Sequence, residues 1–204
     1  MACLLALALL GCQDVELRED FEAGFARWEP TDPAAWRLED GPTGKCLSQF
    51  AKSKYAPPHR SPFNIALLKD VVVGNFTLEA RCRSTVKDYG HRDLCLIFGW
   101  RGAGRFYYSH LGKKTDDHAN QIFLVNEAPR VKISTKTTEG IPWTDDWVKV
   151  KVVRKGPDIA VYWKDMETPV QTAKDETFLS GRIGLGSFDD TGAWDDVVLR
   201  GTRP

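Results

Sequence analysis

From residue 15 onward no stretch of the chain sustains a helical period for ten residues, while short runs with strand-like patterning recur throughout. In Phe76–Cys82, side chains 76, 78, 80 and 82 are apolar or small and alternate with Thr77, Glu79 and Arg81. Leu94–Trp100 is apolar at nearly every position, as in a strand covered on both faces. Phe106–Leu111, Gln121–Asn126 and Arg130–Thr135 follow, the last two separated by Glu127-Ala128-Pro129. Trp147–Val153 alternates cleanly and turns at Lys155–Asp158 into Ile159–Trp163, and Arg182–Phe188 and Trp194–Leu199 come last. Shorter candidates are Val15–Phe21, Trp36–Glu39, Cys46–Phe50 and Ile65–Lys69. About a dozen strands at roughly 8–15-residue intervals predict an all-β, two-sheet antiparallel sandwich. With no internal repeat or linker, residues 15–204 read as one domain.

Composition removes several function classes. Twenty-eight Lys and Arg balance 28 Asp and Glu, which argues against a nucleic-acid sleeve or a polybasic membrane binder. Charged residues at 27% and aromatics at 11% exclude a disordered chain and a multi-span membrane protein. Seven Trp are many for 204 residues, and Trp both fills wide sandwich cores and stacks on sugars.

Residues 1–11 form an apolar and small run too short to span a bilayer, which fits an export signal. Leu9-Leu10-Gly11-Cys12 resembles a bacterial lipobox, so residues 1–12 read as a signal peptide ending at an acylated Cys12. That places the protein outside the cytoplasm: secreted, periplasmic or anchored to the outer membrane, with membrane contact only through the lipid. Three cysteines lie in the globular part, and no Cys-x-x-Cys occurs. Cys82 and Cys95 flank the loop at residues 87–92 symmetrically, so in a hairpin they would face each other. A cross-strand disulfide and two buried free thiols both remain open.

Two motifs carry a resemblance. Glu19–Phe25 with Trp28 reads D-F-E-x-G, and Gly181–Phe188 followed by Gly192–Leu199 reads G-x-I-G-L-x-S-F and then D-D-V-x-L. Together they resemble the concanavalin A-like lectin/glucanase superfamily, nearest to laminin-G-like and 3-keto-disaccharide-hydrolase-like jelly rolls. The resemblance implies a jelly-roll sandwich with first and last strands side by side, Gly184 and Gly186 allowing close backbone approach, and an oligo- or polysaccharide held in a concave groove. It also implies a structural calcium, with Asp195 matching the first acid of the closing motif and Asp20, Glu22 and the Gly41–Gly44 loop as partners.

The superfamily's glucanases carry Glu-x-Asp-x-x-Glu on one strand, and no Glu-x-Asp occurs in this chain. Carbohydrate binding is therefore the leading expectation. A glycoside or 3-keto-disaccharide hydrolase, or a polysaccharide lyase, is the alternative, for which the resemblance assigns no residue. Candidate ligand contacts cluster between residues 100 and 143. Trp100 and Tyr108 could stack on sugar rings, while His110, Asn120 and Arg130 could bond hydroxyls or a carboxylate. His118 lies in a polar loop, and Trp143 could form a rim platform or cap the core. Val131 and Ile133 read as core, which turns Arg130 outward. Four scattered histidines argue against zinc.

Overall fold

The computed structural model describes residues 14–204, so the expected export signal and Cys12 lie outside the described residues. The first strands are β1 (Asp14–Glu19), β2 (Trp28–Pro30), β3 (Trp36–Asp40), β4 (Lys45–Gln49) and β5 (Asn64–Leu68). Next come β6 (Phe76–Ser84), β7 (Cys95–Gly102), β8 (Arg105–His110), β9 (Ile122–Asn126), β10 (Val131–Lys132) and β11 (Ser134–Thr137). The last are β12 (Val148–Lys155), β13 (Asp158–Trp163), β14 (Asp165–Lys174), β15 (Arg182–Ser187) and β16 (Gly192–Thr202). One 3-10 turn, Pro33–Ala35, is the only helical element among the described residues. No helix there is long and apolar enough to cross a membrane.

The strands form two antiparallel sheets. The nine-stranded sheet runs β11-β14-β13-β12-β6-β16-β4-β3, with β1 also pairing β16. The seven-stranded sheet runs β10-β9-β8-β7-β15-β5-β2. The expected pairing of the chain's two ends is present, with Leu17 opposite Leu199 and Glu19 opposite Val197. Gly184 and Gly186 do sit at close approaches, although the approach is to neighbouring strands in their own sheet. A Cβ on Gly186 would lie 2.1 Å from the Asn64 carbonyl oxygen of β5.

Alternation along each strand decides what is buried. Leu78, Ala80, Cys82, Val150, Val152 and Trp194 of the nine-stranded sheet meet Ala66, Leu96, Phe98, Tyr107 and Leu185 of the other in the main core. The intervening residues Ile65, Leu67, Ile97, Phe106, Tyr108 and Phe123 form a second apolar cluster on the other face of the seven-stranded sheet. Leu94–Trp100 is apolar throughout because both faces of β7 are covered, as the sequence predicts.

Two sequence expectations are corrected. Cys82 and Cys95 do not share a hairpin, since β6 and β7 belong to different sheets, and both are buried free thiols. Arg130–Thr135 is not one strand. The chain leaves the seven-stranded sheet after β10 and enters the nine-stranded sheet at β11. Val131 is therefore 57% exposed instead of core, and Ile133 at the crossing is only partly buried against the main core.

Candidate functional site

A cleft of about 330 Å³ opens at the end of the seven-stranded sheet, where β8 ends at His110. Arg130 and His110 line it together, as expected, and His118 joins them. The loop before β7 adds His91 and Asp93, the loop after β15 adds Phe188 and Asp189, and Arg60 comes from the segment ahead of β5. Asp116 completes the acidic side. A wider depression of about 590 Å³ lies on the nine-stranded sheet. Its charges face one another as Lys149–Glu79 at 2.7 Å and Arg81–Asp196 at 3.2 Å, so that surface has little left for a ligand.

Arg130 is held from three sides. Its Nη1 donates to the Tyr108 hydroxyl at 2.6 Å and its Nη2 to the His118 carbonyl at 3.1 Å. The guanidinium carbon stands 4.6 Å from the ring centres of both Phe123 and Phe188. Tyr108 is fully buried and stacked on Phe123, so it positions Arg130 and offers no face to a sugar.

His110 is 5% exposed and fixed by its neighbours. The Asn120 backbone N–H donates to His110 Nδ1 at 3.1 Å, which leaves the neutral ring's proton on Nε2. Nε2 faces Asp93 Oδ2 at 3.6 Å, beyond hydrogen-bond reach. Burial, reinforced by the Arg130 charge, lowers the His110 pKa to about 3. Asn120 is buried at φ 52°, a left-handed conformation that Asn tolerates. Its side-chain amide donates to Thr115 Oγ1 at 2.7 Å and to the Thr138 carbonyl at 3.0 Å, and its Oδ1 accepts from Gln171 Nε2 at 2.8 Å. Asn120 thus supports His110 and does not reach into the cleft.

Asp93 was not legible as a site residue in the sequence. Its Oδ2 accepts from the Phe188 N–H at 2.8 Å and its own N–H donates to Asp190 Oδ2 at 2.8 Å, lacing two loops together. Tyr89 adds a bond from its hydroxyl to Asp190 Oδ1 at 2.6 Å. Asp93 Oδ1 is buried with no hydrogen-bond partner. Burial raises the Asp93 pKa to about 8, with the neighbouring Asp190 and Asp189 charges adding to it.

The remaining expected residues lie elsewhere. Trp100 packs on Phe106 at 4.7 Å, five residues along β7 from the position opposite His110, about 17 Å away. Trp143 is buried, donates from Nε1 to the Leu111 carbonyl at 2.8 Å and packs edge-on against Trp163 at 4.5 Å. It caps the core. Asp20, Glu22 and Asp195 sit near the start of the chain's first turn and in β16. Asp20 accepts from the Glu22 N–H at 3.2 Å, and Glu22 accepts from the Lys45 N–H beside Gly44. Asp195 accepts from the Asp196 N–H at 2.7 Å, and burial raises its pKa.

No protein-family model and no curated protein matches the chain. Solved structures do. The carbohydrate-binding module CBM66 from Bacillus subtilis superposes with a TM-score of 0.62 at 18% identity, covering 86% of this chain and 96% of that one. Domain 4 of the extracellular arabinanase AbnA from Geobacillus stearothermophilus, solved with arabinotriose, gives 0.55 at 11% identity and 92% of each chain. A Bacillus subtilis protein of unknown function with a galectin-like fold gives 0.59 at 11% identity, covering 92% and 96%. Sheet order, paired chain ends and these likenesses agree on one architecture: the chain is a jelly-roll β-sandwich of the concanavalin A-like type.

Proposed function

We propose that the chain is a carbohydrate-binding domain that takes a short glycan, or the end group of a longer one, in the cleft around His110 and Arg130. The carrying observation is the composition of that cleft. Two guanidinium groups, three imidazoles and the acids Asp93, Asp116 and Asp189 surround one aromatic ring, Phe188. Sugars present that pairing of hydroxyls and apolar C–H faces, and few other small ligands do. The volume, near the low end of the roughly 300–1,000 Å³ typical of small-ligand sites, suits one or two sugar units better than a long chain. The solved neighbours named for carbohydrate binding and for an arabinotriose complex support the same reading.

Titration calorimetry against a glycan panel tests it. Arg60 and His118 are exposed, so Arg60→Ala and His118→Ala should leave the melting temperature unchanged while weakening glycan binding roughly tenfold, about 1.4 kcal/mol. A panel with no binder, or variants that bind as tightly as the parent, refutes the cleft. Glycan cleavage is the second reading, favoured by the position of Asp93 and Asp189, two cleft carboxylates with oxygens within 4.8 Å of each other. Asp93 is 1% exposed, which favours binding over chemistry, and release of reducing ends from the bound glycan would reverse that choice.

We further propose that the mature protein lies outside the cytoplasm, lipid-anchored at Cys12. An intact mass carrying a diacylglyceryl group on Cys12 checks the anchor.

A further inference from the structure

Where Asp93 and Asp189 line the cleft, their carboxylate oxygens and one of Asp190 lie within 4.8 Å of one another. Three acids together are unremarkable on a surface, where water screens them. Here Asp93 is 1% exposed and its Oδ1 has no hydrogen-bond donor, although it belongs to the cleft wall. A buried carboxylate oxygen without a partner is costly, and the usual remedy is a basic side chain. None bonds it. Arg92, the adjacent residue, directs its guanidinium at Ser84 and the Thr144 carbonyl at 3.0 Å and at Asp145 at 2.9 Å. His110 Nε2 stands 3.6 Å from the other oxygen, Oδ2.

We propose that Asp93, Asp189 and Asp190 form a binding site for a hard divalent cation of the calcium class beside the cleft. Asp93 supplies its unpartnered Oδ1 from the wall. Asp190 accepts one hydrogen bond on each oxygen, from Tyr89 and from the Asp93 N–H, and so keeps a lone pair on each. Asp189 is exposed and gives the ion its entry path and room for bound water.

A second group of ligand types, Asp93, Cys95 and His110, lies equally close together and would suit a softer metal. Its hydrogen bonds argue against that use. His110 Nδ1 already accepts the Asn120 N–H, so the neutral ring has its proton on the nitrogen that faces the cluster and no lone pair to give. The Cys95 thiol donates to Asp93 Oδ2 at 3.5 Å and is likewise oriented as a donor. Only oxygen ligands remain, and those select calcium-class ions.

The site stands independently of the sugar reading, and its test needs no glycan. The full-length protein is stripped with chelator and titrated with calcium alone, by calorimetry and by thermal melting. The expected result is a saturable heat and a rise in melting temperature. Asp189→Asn should weaken calcium binding at least tenfold while leaving the ion-free melting temperature unchanged. Asp93→Asn, whose amide oxygen can still accept the Phe188 N–H, should abolish the calcium-dependent rise, and Asp195→Asn should retain it. No heat and no shift at millimolar calcium would overturn the proposal. So would loss of binding in Asp195→Asn with retention in Asp189→Asn, which would place the ion at the chain's paired ends instead.

Discussion

Asp93 and His110 sit side by side in low dielectric, and burial drives their proton affinities in opposite directions. Asp93 has a raised folded pKa, so its contribution to stability is complete below the ordinary carboxylate value of 3.8 and is lost as pH rises through about 8. His110 has a depressed one, so its contribution is complete above 6.5 and is lost as pH falls through about 3. Between about pH 4 and 6.5 the two slopes cancel, and between about 6.5 and 8 only the Asp93 loss remains, at about 1.4 kcal/mol per pH unit. Urea unfolding of chelator-treated protein should show that fall, and Asp93→Asn should remove it. Stability that stays flat from pH 6.5 to 8 would mean that Asp93 is already ionised in the fold across that range. At the same scale, Val131→Ala should cost under about 0.5 kcal/mol because the side chain is mostly in water, whereas Ile133→Ala should cost more, through lost contact with the core. His110 and Arg130 were picked out by residue type within strand-like segments, although the register argument used for Arg130 fails where the chain changes sheet after β10. Asp93 and Phe188 were not, because their partnership joins loops 95 residues apart and no local pattern records it.

The strands of the sequence reading survive best where two faces differ. β6 and β12 alternate clearly and were placed within two residues. β14 was missed, although it has ten residues, because its Thr, Gln and Pro side chains give neither a clear apolar face nor a strand-like composition. It nonetheless carries Gln171, whose Nε2 donates to the His110 carbonyl at 2.9 Å and to Asn120 at 2.8 Å. A polar strand at the sheet's margin therefore helps set the cleft. The change of sheet between β10 and β11 was invisible for another reason. Period 2 tells which residues share a face and cannot tell which sheet a strand will join. β15 offers a test at this scale. Gly186→Ala would press a methyl into the Asn64 carbonyl of β5, and chemical denaturation should register a loss of about 1–3 kcal/mol. Unchanged stability would mean that β5 can shift aside.

Across the whole molecule, the two-sheet arrangement decides between the two states the sequence leaves open for Cys82 and Cys95, in favour of free thiols. Cys82 belongs to the nine-stranded sheet's core face and Cys95 to the outer cluster of the other sheet, so the seven-stranded sheet's own thickness separates them. Burial also lifts the Cys95 thiol well above its usual range, which keeps it protonated and unreactive. Reducing agent should leave the melting temperature unchanged, and alkylation of Cys46, Cys82 and Cys95 should require unfolding. Modification of the native protein at any of the three would contradict this packing. Fold class was legible because it depends on patterns of a few residues repeated along the chain. The cleft was legible only in part because it depends on where distant loops meet.

The position of β16 has a consequence in time. It lies between β6 on one side and β4 and β1 on the other, so the strand latest in order among those described fills the middle of the larger sheet. While the ribosome is still making residues 192–202, β1, β4 and β6 have open hydrogen-bonding edges and no partner to close them. Pairing across almost the whole length of the chain is also slow to form, because the ends must find each other first. The larger sheet therefore cannot close until residues 192–202 arrive, and until then three strand edges stand open to pairing with other chains.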